Sequence, residues 1–339
     1  MSATNRLRRN LEKVLLITAL SGMAGLIIGV LRTGENSLIV EGAYGALTGT
    51  MIGFGCTCFE FIGFSNSRLR AARRLPPVAL LVGRTFVYGL VILFGLGISS
   101  VLVGDVLPWQ EPGFSEVFLI SATVAFFMSG AVEVTRLLGW EATVSLVSGR
   151  YNTPRLEPRV VLFADLVGST ALAEKIGELE FHVFLQDVAL DLAGPIEDTY
   201  GAVHRYVGDA VIVTWPLETG VKQADCLTCA LEMHRSLATH ADRYRKRFGA
   251  EPSLRVALHC GQVAAGEIGD WKKEIALLGD TMNTTARIER AAKSLGSDTV
   301  LSDTLVSQLP EPARTSLRRL PDYAAQGKQE PLRLWTTKT

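Results

Sequence analysis

The sequence predicts two different parts in one chain: an α-helical membrane bundle of four transmembrane helices, followed by an α+β domain of the ferredoxin-like type. The first observation is the distribution of charge, because the first 150 of 339 residues carry 12 Lys/Arg and 9 Asp/Glu, whereas the remaining 189 carry 22 and 25. The others are long apolar stretches in the first part and alternating strand and helix patterns in the second. We therefore expect a membrane domain at residues 1–138, a connector at 139–158 and a globular domain at 159–339.

Four apolar stretches of membrane-spanning length make up the first part. They cover residues 14–31, 38–64, 78–103 and 117–138. A helix needs about 20 apolar residues to cross a bilayer, so each stretch predicts one span in the lipid. A cleaved signal peptide is the alternative for the first stretch, but no small-residue cleavage site is clear and three more stretches follow.

Basic residues flank these stretches unevenly and predict the orientation. Residues 104–116 contain no Lys or Arg, whereas basic residues cluster before the first stretch and between the second and third. The clustered residues are Arg6, Arg8, Arg9, Lys13, Arg68, Arg70, Arg73 and Arg74. By the positive-inside rule we expect a multi-pass protein of the inner or plasma membrane, with its N-terminus and globular domain in the cytoplasm.

Small and ionisable residues inside the stretches predict contacts between helices. The glycines at four-residue spacing are Gly25, Gly29, Gly45, Gly49 and Gly53. Such spacing lets membrane helices pack closely, although the general frequency of glycine in membrane helices explains it equally well. Arg84 and Glu133 are more informative, because a charge at membrane depth usually faces a partner. We expect these two to pair, with Glu60 as a further candidate, in a bundle that senses a signal.

The second part shows a regular alternation of strands and helices after a polar connector, in which Pro154 and Pro158 are expected to end any helix that begins at Glu141. The predicted elements are strand 160–164, helix 170–193, strands 202–207 and 210–215, helix 220–248 and strand 254–260, with extensions at 274–278, 281–295, 300–301 and 332–335. The order strand, helix, strand, strand, helix, strand is that of the ferredoxin-like split unit, an antiparallel sheet with helices on one face.

Two aspartates end adjacent strands of this predicted sheet. Asp165 follows the first apolar strand and Asp209 lies at the tip of the hairpin. Two converging carboxylates repel each other unless cations hold them, and the segment after Asp165 leads into a helix N-terminus, which favours phosphate. The pattern indicates two-metal phosphoryl transfer. The alternative is that Asp165 caps the helix and Asp209 is only a turn residue.

Three separated blocks of residues resemble the class III adenylyl and guanylyl cyclases. They read FADLVGST at 163–170, RYVGDAV at 205–211 and LGDTMN at 278–283, the last followed by Ala286 and Arg287. The resemblance covers roughly residue 159 to the C-terminus, and three blocks in the same order make it specific. It implies a class III cyclase domain that converts ATP to 3′,5′-cyclic AMP and pyrophosphate.

The resemblance also implies roles for single residues. Asp165 and Asp209 would bind two Mg²⁺ or Mn²⁺ ions, with the carbonyl of Leu166 as a further ligand. Asn283 and Arg287 match the transition-state pair and lie four residues apart, on one helix face. The other positions that match substrate-binding residues are Phe163, Val167, Gly168, Ser169, Thr170, Arg205, Ala276 and Lys328. In the family the metal ligands and the Asn/Arg pair come from different subunits, so a homodimer with composite sites is implied.

The positions that would read the base depart from the family pattern. Arg205 stands where adenylyl cyclases usually carry Lys, and Ala276 stands where they carry Asp or Thr; guanylyl cyclases typically have Glu and a small polar residue there. An offset of one residue would put His204 in place of Arg205. Arg205 donates but does not accept, and Ala276 makes no side-chain hydrogen bond, so we expect weak base discrimination by this pair. A cyclase with GTP activity, or a weak or silent homologue acting as a membrane-bound regulatory partner, remains an alternative.

Charge and cysteine content exclude two other kinds of site. The second part is slightly acidic, which argues against a nucleic-acid partner held by phosphate neutralisation. Cys226 and Cys229 form a lone Cys-x-x-Cys without a second pair at zinc spacing. We interpret them as reduced thiols.

Overall fold

The computed structural model describes residues 2–31, 38–60, 76–103, 114–139, 143–145, 148–325 and 330–338. The chain divides into two compact units, Met1–Leu137 and Leu138–Thr339. The first unit contains the apolar stretches. The predicted connector falls inside the second unit.

The first unit is helical. Its helices are α1 (Ser2–Leu31), α2 (Leu38–Cys58), α3 (Pro77–Val103) and α4 (Phe114–Leu138). Within the described residues, three helices contain segments long and apolar enough to cross a membrane, namely Val14–Leu31, Val78–Leu102 and Phe114–Thr135. Helix α2 is not one of them, because Glu41 and its glycines and threonines lower its hydropathy. The end of the predicted second span, past residue 60, lies outside the described residues, so a fourth span stays a prediction.

Glycines bring α1 and α2 into close contact. A Cβ added to Gly25 would lie 2.1 Å from the carbonyl oxygen of Gly45, and one added to Gly45 would lie 2.2 Å from the carbonyl oxygen of Gly25. A Cβ at Gly49 would lie 2.3 Å from the carbonyl oxygen of Ser21. Any larger residue at these positions forces the two backbones apart, so the predicted close helix packing is confirmed for this pair.

A buried ionic cluster joins α3 and α4 with the residues just after α2. Arg84 is 2% exposed, and its Nη1 and Nη2 lie 3.5 Å from Glu133 Oε2 and 3.4 Å from Glu60 Oε1. Tyr88 donates a hydrogen bond to Glu60 Oε2 at 2.9 Å. The predicted pairing of Arg84 with Glu133 is confirmed, and Glu60 is a further member. Such charges are tolerated among apolar helices because they are paired.

The second unit is built on one mixed sheet. Its strands are β1 (Arg155–Leu166), β2 (Ala202–Val207), β3 (Ala210–Pro216), β4 (Leu254–Ile268), β5 (Glu274–Leu278), β6 (Thr299–Ser302), β7 (Leu317–Arg319) and β8 (Leu334–Thr337). Its helices are α5 (Ser169–Ile176), α6 (Glu178–Asp198), α7 (Leu217–Lys222), α8 (Asp225–Thr239), α9 (Ala241–Phe248), α10 (Asp280–Leu295), α11 (Asp303–Gln308) and α12 (Glu311–Thr315).

The sheet has the order β2-β3-β1-β4-β6-β8-β7, and β5 pairs with β4. Strand β1 is antiparallel to both β3 and β4, whereas β4 and β6 are parallel. Alternate residues of β1 face opposite sides, so Leu162 packs with α6 and α8 in one core, and Val161 belongs to a core on the other face. Helix α10 covers that second face through Ile288. The two strands that carry Asp165 and Asp209 are therefore neighbours in the sheet.

Two predicted helices are interrupted in the structure. The predicted helix at 170–193 is divided into α5 and α6 at Gly177, whose φ is 83°. The predicted helix at 220–248 is divided into α7, α8 and α9, with Ala224 at a φ of 55° and a further break at His240. The apolar spacing in the sequence did not reveal these breaks, because the consecutive helices pack their apolar residues against the same core and so keep a helical spacing across each break.

Two strands are longer than predicted. Strand β1 begins at Arg155 and includes Pro158, which was expected to precede the domain. Its pairing with β3 begins only at Arg159, so proline lies where β1 has a neighbour on one side, which strands tolerate. Strand β4 continues to Ile268 because its end pairs with β5. These pairings extend the domain beyond the apolar runs.

A buried carboxylate fastens α9 to α6. The side chain of Asp191 is 0% exposed and accepts a hydrogen bond from the Tyr244 hydroxyl at 2.7 Å and another from Arg243. Burial, followed by the hydrogen bond to Asp191, raises the pKa of Tyr244. Asp242, on α9, is 78% exposed and pairs with Arg245 at 2.8 Å. Removing the buried carboxylate is therefore far more costly than removing the exposed one, because it leaves buried donors without their acceptor.

Candidate functional site

The two aspartates lie together at the end of adjacent strands. Strand β1 is buried from Arg159 to Ala164 except at the half-buried Phe163, and the side chain of Asp165 follows at a half-buried position. The register pairs Ala164 with Val211, so the next pair outward places Asp165 across from the residue after Asp209. Gly208, with a φ of 62°, closes the hairpin that carries Asp209.

Electrostatics at this point are strongly negative. Burial raises the pKa of Asp165 to about 6, and the charges of Asp209 and Glu289 are the next causes. A hydrogen bond with Asp209 acts in the same direction. The carboxylates are therefore close enough to repel each other, which a bound cation would relieve.

Arg255 and Glu289 are residues of this site that sequence analysis missed. The ladder between β1 and β4 pairs Asp165 with Arg255, whose charge opposes the rise of the pKa of Asp165. Arg255 Nη1 lies 3.5 Å from Glu289 Oε1. The signal was present in the sequence, because Arg255 interrupts the apolar run from Leu254 to Leu258, and a cation in such a run needs a partner.

The segment after Asp165 forms a turn into α5. Gly168 takes a φ of 73°, and a Cβ there would meet nothing within 4 Å, so this backbone faces open space. Val167 donates its N–H to the carbonyl of Ser253 at 2.9 Å, which ties the turn to the start of β4. Helix α5 then begins at Ser169 without a side-chain cap on its first N–H groups, and Thr170 is exposed. Helix N–H groups in this state bind anions.

Asn283 and Arg287 lie on α10, but not on the side that faces Asp165. Arg287 Nη1 is 3.7 Å from Asp280 Oδ1, and Asn283 is exposed. Glu289, which acts on Asp165, follows Arg287 by two residues and is therefore about 200° around the helix from it. Arg287 therefore lies on a different face of α10 from Glu289, the residue that acts on Asp165. Asn283 lies within about 40° of the direction of Arg287.

Arg205 forms an ion pair with Glu274, a residue of β5. Arg205 Nη2 donates to Glu274 Oε2, and Lys272 Nζ lies 2.9 Å from Glu274 Oε1. Ala276 is two residues farther along β5, opposite Gly266 of β4. The structure therefore brings the predicted base-reading strands together and adds Glu274 to them.

The remaining predicted residues have mixed outcomes. Phe163 is half-buried and packs against both apolar clusters on the α10 face. Leu166 is 4% exposed and belongs to the main apolar core. Lys328 lies outside the described residues. Among the residues that are described, no three or more His, Cys, Asp or Glu side chains are grouped to hold a metal ion.

A family model, adenylate and guanylate cyclase catalytic domain, matches residues 152–333, which is more than half of the chain. The chain belongs to this cyclase family. The match begins slightly before residue 159, where the sequence resemblance was placed, and agrees with the longer β1.

Individual relatives of this cyclase include adenylate cyclase 2 of Rhizobium meliloti (strain 1021), which is 32% identical over 331 residues, covering 94% of this chain and 87% of that protein. The adenylate cyclase of Anabaena cylindrica is 26% identical over 197 residues, covering 56% of this chain and 38% of that protein. A solved bacterial light-regulated adenylyl cyclase has a TM-score of 0.55 at 17% identity, covering 65% of this chain and 64% of that one. The first relative matches the apolar helices as well as the catalytic domain, and the solved structure shares the fold.

Proposed function

We propose that this cyclase is a membrane-anchored adenylyl cyclase that converts ATP to 3′,5′-cyclic AMP and pyrophosphate at the composite sites of a homodimer. The relative that is 32% identical across 94% of the chain carries the name adenylate cyclase, which supports ATP as the substrate. The arrangement of Asp165, Asp209 and Arg287 supports the chemistry and the dimer.

The donor set around Asp165 fits two Mg²⁺ or Mn²⁺ ions. Hard cations prefer oxygen ligands, and Mg²⁺ is commonly held by one or two carboxylates together with substrate phosphates. We infer that Asp165, Asp209 and the carbonyl of Leu166 hold the ions, since the two carboxylates repel each other without a cation. Bound ions would supply Lewis-acid stabilisation of the ribose 3′ oxygen and of the phosphates.

The chain's own residues position the nucleotide and stabilise charge. The N-terminus of α5, from Val167 to Thr170, and the guanidinium of Arg255 are placed to receive phosphate oxygens. We assign Lys328 to the terminal phosphates on the family resemblance. The ribose 3′ hydroxyl gives its proton to solvent water and its oxygen forms a bond to the α-phosphorus. The bond from the α-phosphorus to the bridging oxygen breaks, and pyrophosphate leaves with that electron pair.

The Asn/Arg pair acts on the reacting centre. Asn283 orients the ribose by hydrogen bonding, and Arg287 donates to the oxygens of the α-phosphate, where charge develops. Arg287 is 23% exposed and its Nη1 lies 3.7 Å from the 68% exposed Asp280, so it reaches a nucleotide without breaking a buried pair. A planar, always charged guanidinium suits this role better than an amine.

The orientation of α10 is the observation that carries the homodimer. Glu289 faces Asp165 of the same chain, and Arg287 points about 200° away from it. One chain therefore does not bring its own arginine to its own carboxylates. A second copy related by two-fold symmetry supplies it, which gives two identical composite sites.

The apolar helices support a membrane location. Three segments are long and apolar enough to span, and we propose α2 as the fourth span, because its 21 residues measure about 30 Å and pack tightly against α1. The distribution of basic residues supports a catalytic domain on the cytoplasmic side of a plasma or inner membrane.

We also assign the unit formed by β1 to β4 and the helices between them to the ferredoxin-like arrangement, which the strand order β2-β3-β1-β4 supports.

GTP use is the alternative with a specific observation in its favour. Arg205 donates as readily to guanine O6 as to adenine N1, and Ala276 rejects neither base. A silent regulatory homologue is less well supported, because converging carboxylates that raise the pKa of Asp165 have no structural benefit.

The test is product formation by the full-length chain in detergent micelles, with ATP or GTP and with Mg²⁺ or Mn²⁺. We expect cyclic AMP from ATP, loss of product on chelation, and loss in Asp209→Ala. Asp242→Ala, at an exposed site far along the sequence in α9, is the matched carboxylate control. Cyclic GMP as the main product would favour the guanylyl alternative, and no product with either nucleotide would favour the silent homologue.

A further inference from the structure

The ion pair between Arg205 and Glu274 joins two strands that meet at the proposed base-reading site. Arg205 belongs to β2 and Glu274 to β5, 69 residues apart in the sequence. Both side chains are close to half exposed, at 47% and 43%. An exposed ion pair contributes little to stability, so folding alone gives little reason for this contact.

The position of Glu274 follows from its connection to Asn283. Strand β5 leads through Gly279 directly into α10, so the surface that offers Asn283 to the ribose also offers β5 to the base attached to that ribose. Ala276 on this strand has no hydrogen-bonding group, whereas Glu274 lies two residues earlier, on the same face. The carboxylate of Glu274 is thus the acceptor nearest to Arg205 on this strand.

The chemistry of the pair is that of a purine reader. A guanidinium has only donors and an ionised carboxylate has only acceptors. The hydrogen bond from Lys272, together with the charges of Lys272 and Arg205, lowers the pKa of Glu274, so the carboxylate is ionised at neutral pH. Adenine presents an acceptor, N1, beside a donor, the 6-amino group, and guanine presents an acceptor, O6, beside a donor, N1–H. The pair is complementary to either edge, and the proposed use of ATP selects adenine.

We propose that Glu274 is a specificity-determining residue of this cyclase, which accepts a hydrogen bond from the 6-amino group of adenine while Arg205 donates to N1. This inference rests on the proposed adenylyl cyclase function. It assigns the acceptor that Ala276 lacks, at a base that the proposed function takes to be a 6-aminopurine. Each group keeps capacity for the base, because Arg205 uses one of five N–H donors on Glu274 and the carboxylate has about four acceptor positions.

The test compares ATP with purine riboside 5′-triphosphate, which is ATP without the 6-amino group. For the full-length wild-type chain we expect kcat/KM to favour ATP by roughly 10- to 100-fold, as for one hydrogen bond to a charged group. In Glu274→Ala this ratio falls towards one, because use of ATP drops and use of the analogue does not. Glu274→Gln keeps an acceptor oxygen and retains part of the ratio.

Lys272→Ala is the matched control, since Lys272 contacts the same carboxylate but is 82% exposed and faces no base in the proposal. It keeps the wild-type ratio. A wild-type enzyme that uses the analogue as well as ATP overturns the proposal without any variant. So does a Glu274→Ala enzyme of unchanged thermal stability that keeps the wild-type ratio, or one that loses GTP use alone, since the carboxylate then reads guanine.

Failure of the proposed function looks different. If the wild-type chain makes no cyclic AMP, both proposals fail. If it makes cyclic AMP and Asp209→Ala does not, but the ratio is insensitive to Glu274, only the assignment of the acceptor is wrong.

Discussion

Complementation between two inactive variants tests the composite site most directly. Asp209→Ala removes a carboxylate from the negative cluster, and Arg287→Ala removes the guanidinium on the opposite side of α10. Each variant alone places the lesion in both sites of its homodimer, so we expect both to be inactive. In a heterodimer, one site combines the intact carboxylates of one chain with the intact arginine of the other, and the second site carries both lesions.

The expected recovery follows from this count. Random pairing of equal amounts gives half heterodimers, and each has one working site of two, so the mixture reaches about a quarter of wild-type activity. The assay is cyclic AMP formation after co-expression of the two variants with different purification tags. Asp209→Ala mixed with Asp165→Ala is the control, because both lesions are then on the carboxylate side and every site is defective. Equal activity in both mixtures, or none in either when heterodimers are recovered, would refute the reasoning.

Three further predictions concern stability of the full chain in detergent, measured by thermal unfolding. Gly45→Ala lowers the free energy of unfolding by about 1–3 kcal/mol, since the new methyl group meets a backbone oxygen. Gly83→Ala is the control, because nothing lies within 4 Å of a Cβ at that position, and it leaves the free energy of unfolding unchanged. Equal effects of the two substitutions would refute the close contact. Asp191→Asn costs about 2–4 kcal/mol, because it removes a fully buried carboxylate charge that accepts from Tyr244 and from the 35% exposed Arg243. Asp242→Asn, at the exposed pair, costs under about 1 kcal/mol. Burial lowers the pKa of His234 in the folded protein, so the unfolded chain binds a proton at this residue at a higher pH than the folded chain does. The free energy of unfolding therefore falls as the pH drops below about 6.5. His234→Gln should reduce this loss, and an unchanged pH profile would contradict the prediction.

Much of the secondary structure could be predicted because local patterns are sufficient for it. Strand β5 has the predicted bounds. The hairpin around Gly208 also lies where it was predicted, from two strand-like runs separated by a turn. The interruptions at Gly177 and Ala224 could not be predicted from periodicity, because helices that share one core keep the same apolar spacing across a break. Strand β1 was underestimated because its first residues, including Pro158, are held by pairing rather than by their own burial.

The site residues could be predicted where a residue type is unusual for its structural position. Asp165 and Asp209, each at the end of an apolar strand, are costly without a partner and therefore informative in a sequence. Arg255 and Glu274 were missed, because their importance depends on which residue lies opposite on a strand distant in the chain. Register across a sheet decides that, and a one-residue slip would change it.

The sequence by itself determined the two-part organisation, the apolar helices, the order of the split unit and the family of this cyclase. Composition, spacing and short motifs are local properties, and a chain carries them before it folds. Only the tertiary structure decided that Arg255 lies opposite Asp165, that Glu274 joins Arg205, and that Glu289 rather than Arg287 acts on Asp165. Those facts depend on helix rotation and strand register, which are fixed by packing between residues far apart in the chain.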